Sequence, residues 1–484
     1  MSNSPIVAAS SPSARGASDA AAAGALPARP RIFRDPVHGD LAFPRGPFQR
    51  LLESVIDTAM FQRLRGIRQT AVMNLVFHGA EHSRFAHSMG AAHLAGLMVD
   101  AAAQASGLHV TEREREETVL AALLHDVGHG PFSHSMEEII GPSFVHERMT
   151  VRILTEPDSE IHGLLATYDA GLPERLRAFI EHTPPPRHPW RHAIVSSQLD
   201  ADRLDYLARD AMMAGIRTHA FDLWRLVRSL LVIDDHLVVD ARAQDVVEAF
   251  LLALDQMYGT AYYHKTVRAA SLLLEATVGR ALDLARASEA ARAELFAGRT
   301  SSDARPDPFY RLLTEHERIP LDDYARLDEA SVMSGFATWR EASDPVLREL
   351  ATSYRTRHFP KMVRLPVESD APRPRTEWLA AADEARAIFR RRFPGRDPRY
   401  FVHFDEPARL SYKRYAAGGA GPAAEPIRVT TGSGGARPIE SDPRSIANNI
   451  STRLYFPRLF VPETIREEVE AALATPPSRD RPGP

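Results

Sequence analysis

Leu123-Leu124-His125-Asp126-Val127-Gly128-His129-Gly130-Pro131-Phe132-Ser133-His134 is an apolar helix end that runs straight into potential metal ligands. Upstream, Thr111 and Glu114 have the spacing of a capping box, so a helix is predicted to open there and to finish at His125-Asp126. Gly128, Gly130 and Pro131 then break it at the point where a metal would sit. Working outward, RFAHSMG surrounds His87 and SSQLDADRLDYLARD surrounds Asp202. His87, His125, Asp126 and Asp202 together supply two imidazoles and two carboxylates, a ligand set for one hydrolytic metal ion that leaves positions for water and substrate.

The surrounding pattern is mainly α. Apolar Ile56, Met60, Leu64 and Ile67 are spaced for one face of a helix over Val55–Arg68. Arg84–Gln104 reads as a second helix, and further helical stretches are expected near 134–155, 173–182, 192–214, 220–229 and 245–290. Leu230–Ile233 and Leu237–Asp240 flank Asp234-Asp235 as a small β-hairpin. Beyond about 300 the signal mixes short helices with strand-like Lys361–Val367 and Tyr400–Phe404, and Ile465–Leu473 is expected to be a last helix. A Gly/Ala/Pro-rich run over 416–438 reads as a flexible loop. The expected organisation is a disordered tail over 1–30, a helical core over 31–290 and a mixed α+β lobe over 291–484.

Composition narrows the class. The chain has 484 residues, 44% hydrophobic, with a formal net charge of −4 and no cysteine. Disulfides, thiolate catalysis and cysteine-ligated metal are therefore excluded, and there is no general electrostatic case for nucleic acid or anionic membrane. No apolar run approaches the roughly 20 residues that span a bilayer. A cytoplasmic enzyme is the expectation.

Around the proposed metal the imidazoles are dense. His125 and His129 stand at i and i+4, His134 follows the Gly-Pro break, and His146-Glu147 opens the next helical stretch. A metal lowers the pKa of bound water toward about 7, and histidine is the side chain best tuned to protonate a leaving oxygen. Glu137 is a candidate to orient one of these rings, and Arg84, Arg203 and Lys265 to neutralise phosphate oxygens. The chemistry is that of a metal-dependent phosphohydrolase. Most of the 20 histidines need no chemistry, and His38, His78, His93, His109 and His188 are read as structural or solvated.

IFRDPVHG, IDTAMFQRLRGIRQ, RFAHSMG, HDVGHGPFSH, the Val145-His146-Glu147 triplet, DADRLDYLARD and AYYHK, spread over Arg31 to about Lys265, resemble the HD-domain superfamily of metal phosphohydrolases. Within it the resemblance is to the deoxynucleoside triphosphate triphosphohydrolases. It implies a helical HD fold and hydrolysis of a dNTP to deoxynucleoside and tripolyphosphate. The resemblance makes His87, His125, Asp126 and Asp202 the ligands of one divalent ion (Fe, Mn, Zn, Co or Mg), with additional Mg²⁺ accompanying bound nucleotide. It makes His129, His134, His146 and Glu137 the catalytic cluster, and puts Arg84 and Arg203 at the phosphates. Gln69, Tyr206, Asp210 and Tyr262 fall where the deoxyribose is held.

Arg31, Ile32, Asp57, Gln62 and Arg65 match a GTP/dGTP activator site in a homo-oligomer, dimer or tetramer. The same stretch also reads as a plain helix start capped by Asp57. Departures are informative. Leu254 stands where the family has a triphosphate-contacting arginine, Thr70 where a leucine packs on the sugar, and Thr260 and Arg34 at a second effector site. Three readings stay open: a dNTP triphosphohydrolase, a phosphohydrolase of nucleoside monophosphates or signalling nucleotides, and a nucleotide- or nucleic-acid-sensing module. An intact set of ligands argues against the last, because two buried carboxylates need a cation.

Overall fold

The computed structural model describes residues 31–43, 46–185, 187–217, 221–296, 307–363, 374–414 and 425–474. The expected tail over 1–30 and the first part of the Gly/Ala/Pro-rich run, 416–424, lie outside them. The architecture is mainly helical with a few small sheets, as the pattern predicted. At its centre is the helix Arg84–Ser106, whose alanines and glycines allow close packing. It lies against Glu112–Leu124, Ala201–Met213 and the strand Leu230–Ile233. Thr111 caps Glu112–Leu124 through the expected reciprocal box: its Oγ1 accepts from the Glu114 N–H at 3.3 Å, and Glu114 Oε2 accepts from the Thr111 N–H at 2.9 Å.

Several predicted helices are divided, each at a residue with a local reason. Ile56, Met60, Leu64 and Ile67 are all buried, but there is no single helix over Val55–Arg68. Pro47–Asp57 ends, Thr58 turns extended, and its hydroxyl caps Ala59–Gln62 by accepting from the Phe61 N–H at 3.2 Å. Asp57 is therefore a last residue and Thr58 the cap. The stretch 134–155 splits into His134–Ile140 and His146–Thr155 at Gly141, which sits at φ 105°. Within 192–214, Asp200 starts a new helix, Ala201–Met213, by accepting from the Arg203 N–H at 2.8 Å and the Ser197 N–H at 2.7 Å. Within 245–290, the helix Gln244–Met257 widens into a π-turn, Tyr258–Tyr262, before Lys265–Ala287 restarts it. Such turns recur at functional sites, and this one carries Tyr262.

The hairpin pairs Leu230–Ile233 with His236–Val239, one residue earlier than expected. Asp234 and Asp235 both take positive φ, as a two-residue primed turn requires. The flexible loop expected over 416–438 is corrected in its second half: Arg428–Thr430 and Ala436–Pro438 are strands. Arg428–Thr430 pairs parallel with His236–Val239, making a four-stranded sheet. Val429 is fully buried there, which explains why this stretch is held. A second sheet sets Arg458–Val461 between Lys361–Met362 and His403–Asp405, and the last helix runs Glu463–Ala474. Among the described residues no helix is long and apolar enough to cross a membrane.

Candidate metal centre and phosphohydrolase site

Three elements deliver the four proposed ligands. His87 lies one turn into the central helix, His125 and Asp126 leave the end of Glu112–Leu124, and Asp202 stands in the first turn of Ala201–Met213. His87 Nε2 is 3.0 Å from Asp202 Oδ1 and 3.8 Å from Asp126 Oδ2, and His125 Nε2 is 3.6 Å from Asp202 Oδ1 and 3.4 Å from Asp126 Oδ1. Each imidazole donates from its other nitrogen: His87 Nδ1 to Asp205 Oδ2 at 2.8 Å, and His125 Nδ1 to the Ala122 carbonyl at 2.8 Å. Both Nε2 atoms are buried with no hydrogen-bond partner and face the two carboxylates. Burial opposes charge on these rings. The facing carboxylates overcome it, raising His87 to about 10 and His125 to about 9, while His125 and His87 hold Asp202 well below the usual carboxylate range. Two orphaned nitrogens, two carboxylates and a local demand for positive charge fit a divalent cation.

A second cluster adjoins the first through Asp126, whose Oδ1 lies 3.3 Å from His129 Nε2. His129 stacks on His146, ring centroids 3.6 Å apart. Glu137 accepts from His146 Nδ1 at 2.9 Å and from His134 Nδ1 at 3.3 Å. Burial resists ionisation of Glu137, but the two histidines hold it well below the usual range, so it is a carboxylate whenever they donate. His134 is 69% exposed and His146 mostly buried, so the pair spans from interior to solvent. Burial, then Arg84, push His129 down, leaving its ring neutral.

The turn between the clusters is tightly supported. The carbonyls of His125, Val127, Gly128 and His129 accept from Thr150, Arg63, Tyr324 and Arg63 respectively, at 3.1, 2.6, 2.6 and 2.8 Å. Phe132 and Ser133 take positive φ, a conformation costing about 1–3 kcal/mol each that clusters at functional sites. Arg84 donates to Ser133 Oγ at 2.8 Å and pairs with Asp126, and it is 4% exposed.

At the far side, Asp210 accepts from Tyr262 Oη at 2.7 Å and from His82 Nε2 at 2.7 Å. Gln69 joins His82 through its backbone N–H (3.0 Å), and its side-chain oxygen is buried without a partner. Arg203 is partly exposed beside Asp200, and Tyr206 lies within electrostatic reach of Arg203 and Asp202. The activator candidates form a separate surface group: Arg31 pairs with both oxygens of Asp57 at 2.8 and 2.9 Å, Gln62 accepts from Arg65 at 2.8 Å, and Ile32 is exposed. Lys265 does not line the metal centre. It borders a basic cavity of about 360 Å³ with Arg357, Lys361 and Arg466.

Sequence reasoning missed Asp205, Arg209, His82, Arg63 and Tyr324, and dismissed His38. His38 is buried, with Nε2 2.6 Å from Asp205 Oδ1, directly behind His87. The signal for Asp205 and Arg209 was available: with Asp202 they fall at i, i+3 and i+7, one face of one helix.

The HD domain matches residues 84–210 and the HD-associated region residues 221–297. The uncharacterized protein YwfO of Bacillus subtilis is 32% identical over 80% of this chain and 82% of its own. The chain belongs to the HD-domain phosphohydrolase family, whose members bind a divalent metal. More particularly, it is 37% identical to the deoxynucleoside triphosphate triphosphohydrolase SAMHD1 homolog of Dictyostelium discoideum over 43% of this chain, and 31% identical to human SAMHD1 over 49%. It spans about two fifths of the length of each, 41% and 42%. A phosphohydrolase crystal structure from Bacteroides thetaiotaomicron superimposes with a TM-score of 0.72 at 26% identity, covering 90% of this chain and all of that one.

Proposed function

We propose that this chain hydrolyses deoxynucleoside triphosphates to deoxynucleoside and tripolyphosphate. The observation carrying this reading is the juxtaposition, across 3.3 Å between Asp126 and His129, of a four-ligand metal centre with an imidazole cluster poised on Glu137. A divalent ion held by His87, His125, Asp126 and Asp202 supplies Lewis acidity and lowers the pKa of water toward about 7. His134 and His146 donate Nδ1–H to Glu137, so each presents Nε2 outward to exchange a proton with the leaving 5′ oxygen. Arg203 is exposed enough to meet phosphate oxygens, and Asp210, held by His82 and Tyr262, is oriented to accept from a sugar hydroxyl.

Activation by GTP or dGTP belongs to the same reading. Guanine would have to displace Arg31 from Asp57, whose two oxygens that arginine occupies. A second reading, hydrolysis of nucleoside monophosphates or signalling nucleotides, is favoured by one observation. Leu254 is 1% exposed in the core, so its position offers no guanidinium to a triphosphate.

The test is product analysis. The Mn²⁺-supplemented protein is incubated with each dNTP, with and without GTP, beside Asp126→Ala, and products are resolved by anion exchange. Deoxynucleoside plus tripolyphosphate, absent in the variant, is the expected result. Intact dNTPs with hydrolysed monophosphates would favour the second reading.

A further inference from the structure

The stretch IFRDPVHG supplies none of the four ligands, yet its turn is folded against the back of one. Asp35 ends the strand Ile32–Asp35, and its Oδ1 accepts from the backbone N–H of Val37 at 2.8 Å and of His38 at 3.0 Å. That closes the turn and fixes where the His38 ring points. Asp35 Oδ2 accepts from Arg209 at 2.7 Å. Arg209 in turn grips Asp205 with two parallel bonds, Nε to Oδ2 at 2.9 Å and a terminal nitrogen to Oδ1 at 2.8 Å. His38 Nε2 reaches Asp205 Oδ1 at 2.6 Å, and His87 Nδ1 reaches Oδ2 at 2.8 Å. The side chains of His38, His87, Asp205 and Arg209 are fully buried.

Each Asp205 oxygen thus takes one guanidinium donor and one imidazole donor. A carboxylate so surrounded only accepts, so His87 Nδ1 carries a proton and Nε2 is the nitrogen left to face Asp126 and Asp202 and to ligate a cation that takes the place of its proton. Gly90, one turn beyond His87, makes the room: a Cβ there would overlap the Asp205 carboxylate and the Arg209 guanidinium. A plain Arg209–Asp205 ion pair would need neither the second imidazole nor the anchoring turn.

We propose that His38, Asp35 and Arg209 act through Asp205 as positioning residues that fix the orientation and tautomer of His87, and so set the affinity of the centre for a divalent cation. The inference rests on His87, His125, Asp126 and Asp202 being a metal site. It is independent of which nucleotide is hydrolysed.

The full-length protein, stripped with chelator, is titrated calorimetrically with MnCl2. Asp205→Asn is expected to weaken Mn²⁺ binding about 10–100-fold, and His38→Ala about 10-fold. His38→Gln, whose amide nitrogen can stand in for Nε2, is expected to restore most of that loss, and both His38 variants should melt near the wild type when stripped. Should Asp205→Asn not fold, the His38 pair decides alone. Wild-type Mn²⁺ affinity in His38→Ala, or no recovery in His38→Gln, would overturn the proposal while leaving the metal site standing. A wild-type chain that takes up no Mn²⁺, indistinguishable from His87→Ala, would instead overturn the metal reading and this inference with it.

Discussion

A Cβ on Gly128 would run into the carbonyl of His146 and the backbone nitrogen of Thr150. The absence of one methyl group is what lets the helix His146–Thr155 pass close enough for His146 to stack on His129 and donate to Glu137. Gly128→Ala therefore has to push that helix away. Overpacking of this kind costs about 1–3 kcal/mol, to be read from urea unfolding, and it should lower kcat by more than it raises KM because the displaced ring belongs to the proposed proton-transfer cluster. Glu137→Gln isolates the electrostatic part. The amide fits the same space but cannot accept from both imidazoles as an anion does, so kcat is expected to fall about 100-fold with little change in KM. Equal losses in kcat and in binding would show that Glu137 only shapes the pocket.

Helix ends leave carbonyls without partners, and here the unpaired carbonyls lie in the turn that joins the proposed metal ligands to the imidazole cluster. Arg63, stacked on the Tyr324 ring at 4.4 Å, and the Tyr324 hydroxyl close them from two distant parts of the chain. Tyr324→Phe keeps the stacking surface and leaves the Gly128 carbonyl buried and unpaired, a change expected to cost about 1–3 kcal/mol in chemical denaturation. This division also explains what was legible. His87, His125, Asp126 and Asp202 announce themselves because each sits in a local pattern: a cap, a helix end, a Gly-Pro break. The Thr111–Glu114 box and the Asp234-Asp235 turn are local in the same way. Arg63 reaches Val127 across 64 residues, His38 reaches Asp205 across 167 and Tyr324 reaches Gly128 across 196, and no periodicity or spacing encodes such pairings. The helix breaks at Thr58, Gly141 and Asp200 fall between. Their cap residues are visible, but continuous apolar periodicity outweighed them in the reading of the sequence.

At the scale of the molecule, described segments after residue 307 close over the HD core. Tyr324 reaches the metal-site turn, Glu329 accepts from the Arg68 N–H at 2.9 Å, and Asp405 takes two bonds from Arg268, at 3.1 and 2.7 Å. His403, two residues before Asp405, pairs in register with Phe460 at the centre of this closure. Burial pushes its imidazole down to about 4, with Asp405 opposing and Arg386 assisting. In the unfolded chain the same ring titrates near 6.5. Above pH 7 it is neutral in both states and contributes nothing to the pH dependence. As pH falls from about 6.5 toward 4, the unfolded chain takes up a proton that the folded chain refuses, so stability is lost across that window. Allowing for the ring's partial solvent contact, the loss is up to about 2 kcal/mol. Urea unfolding of the wild type and His403→Gln at pH 7.5 and pH 4.5 checks it: the variant should lose less stability between the two pH values. If the two proteins lose the same amount, His403 is protonated as readily in the folded state as in the unfolded, and the acid sensitivity of the closure lies with other groups.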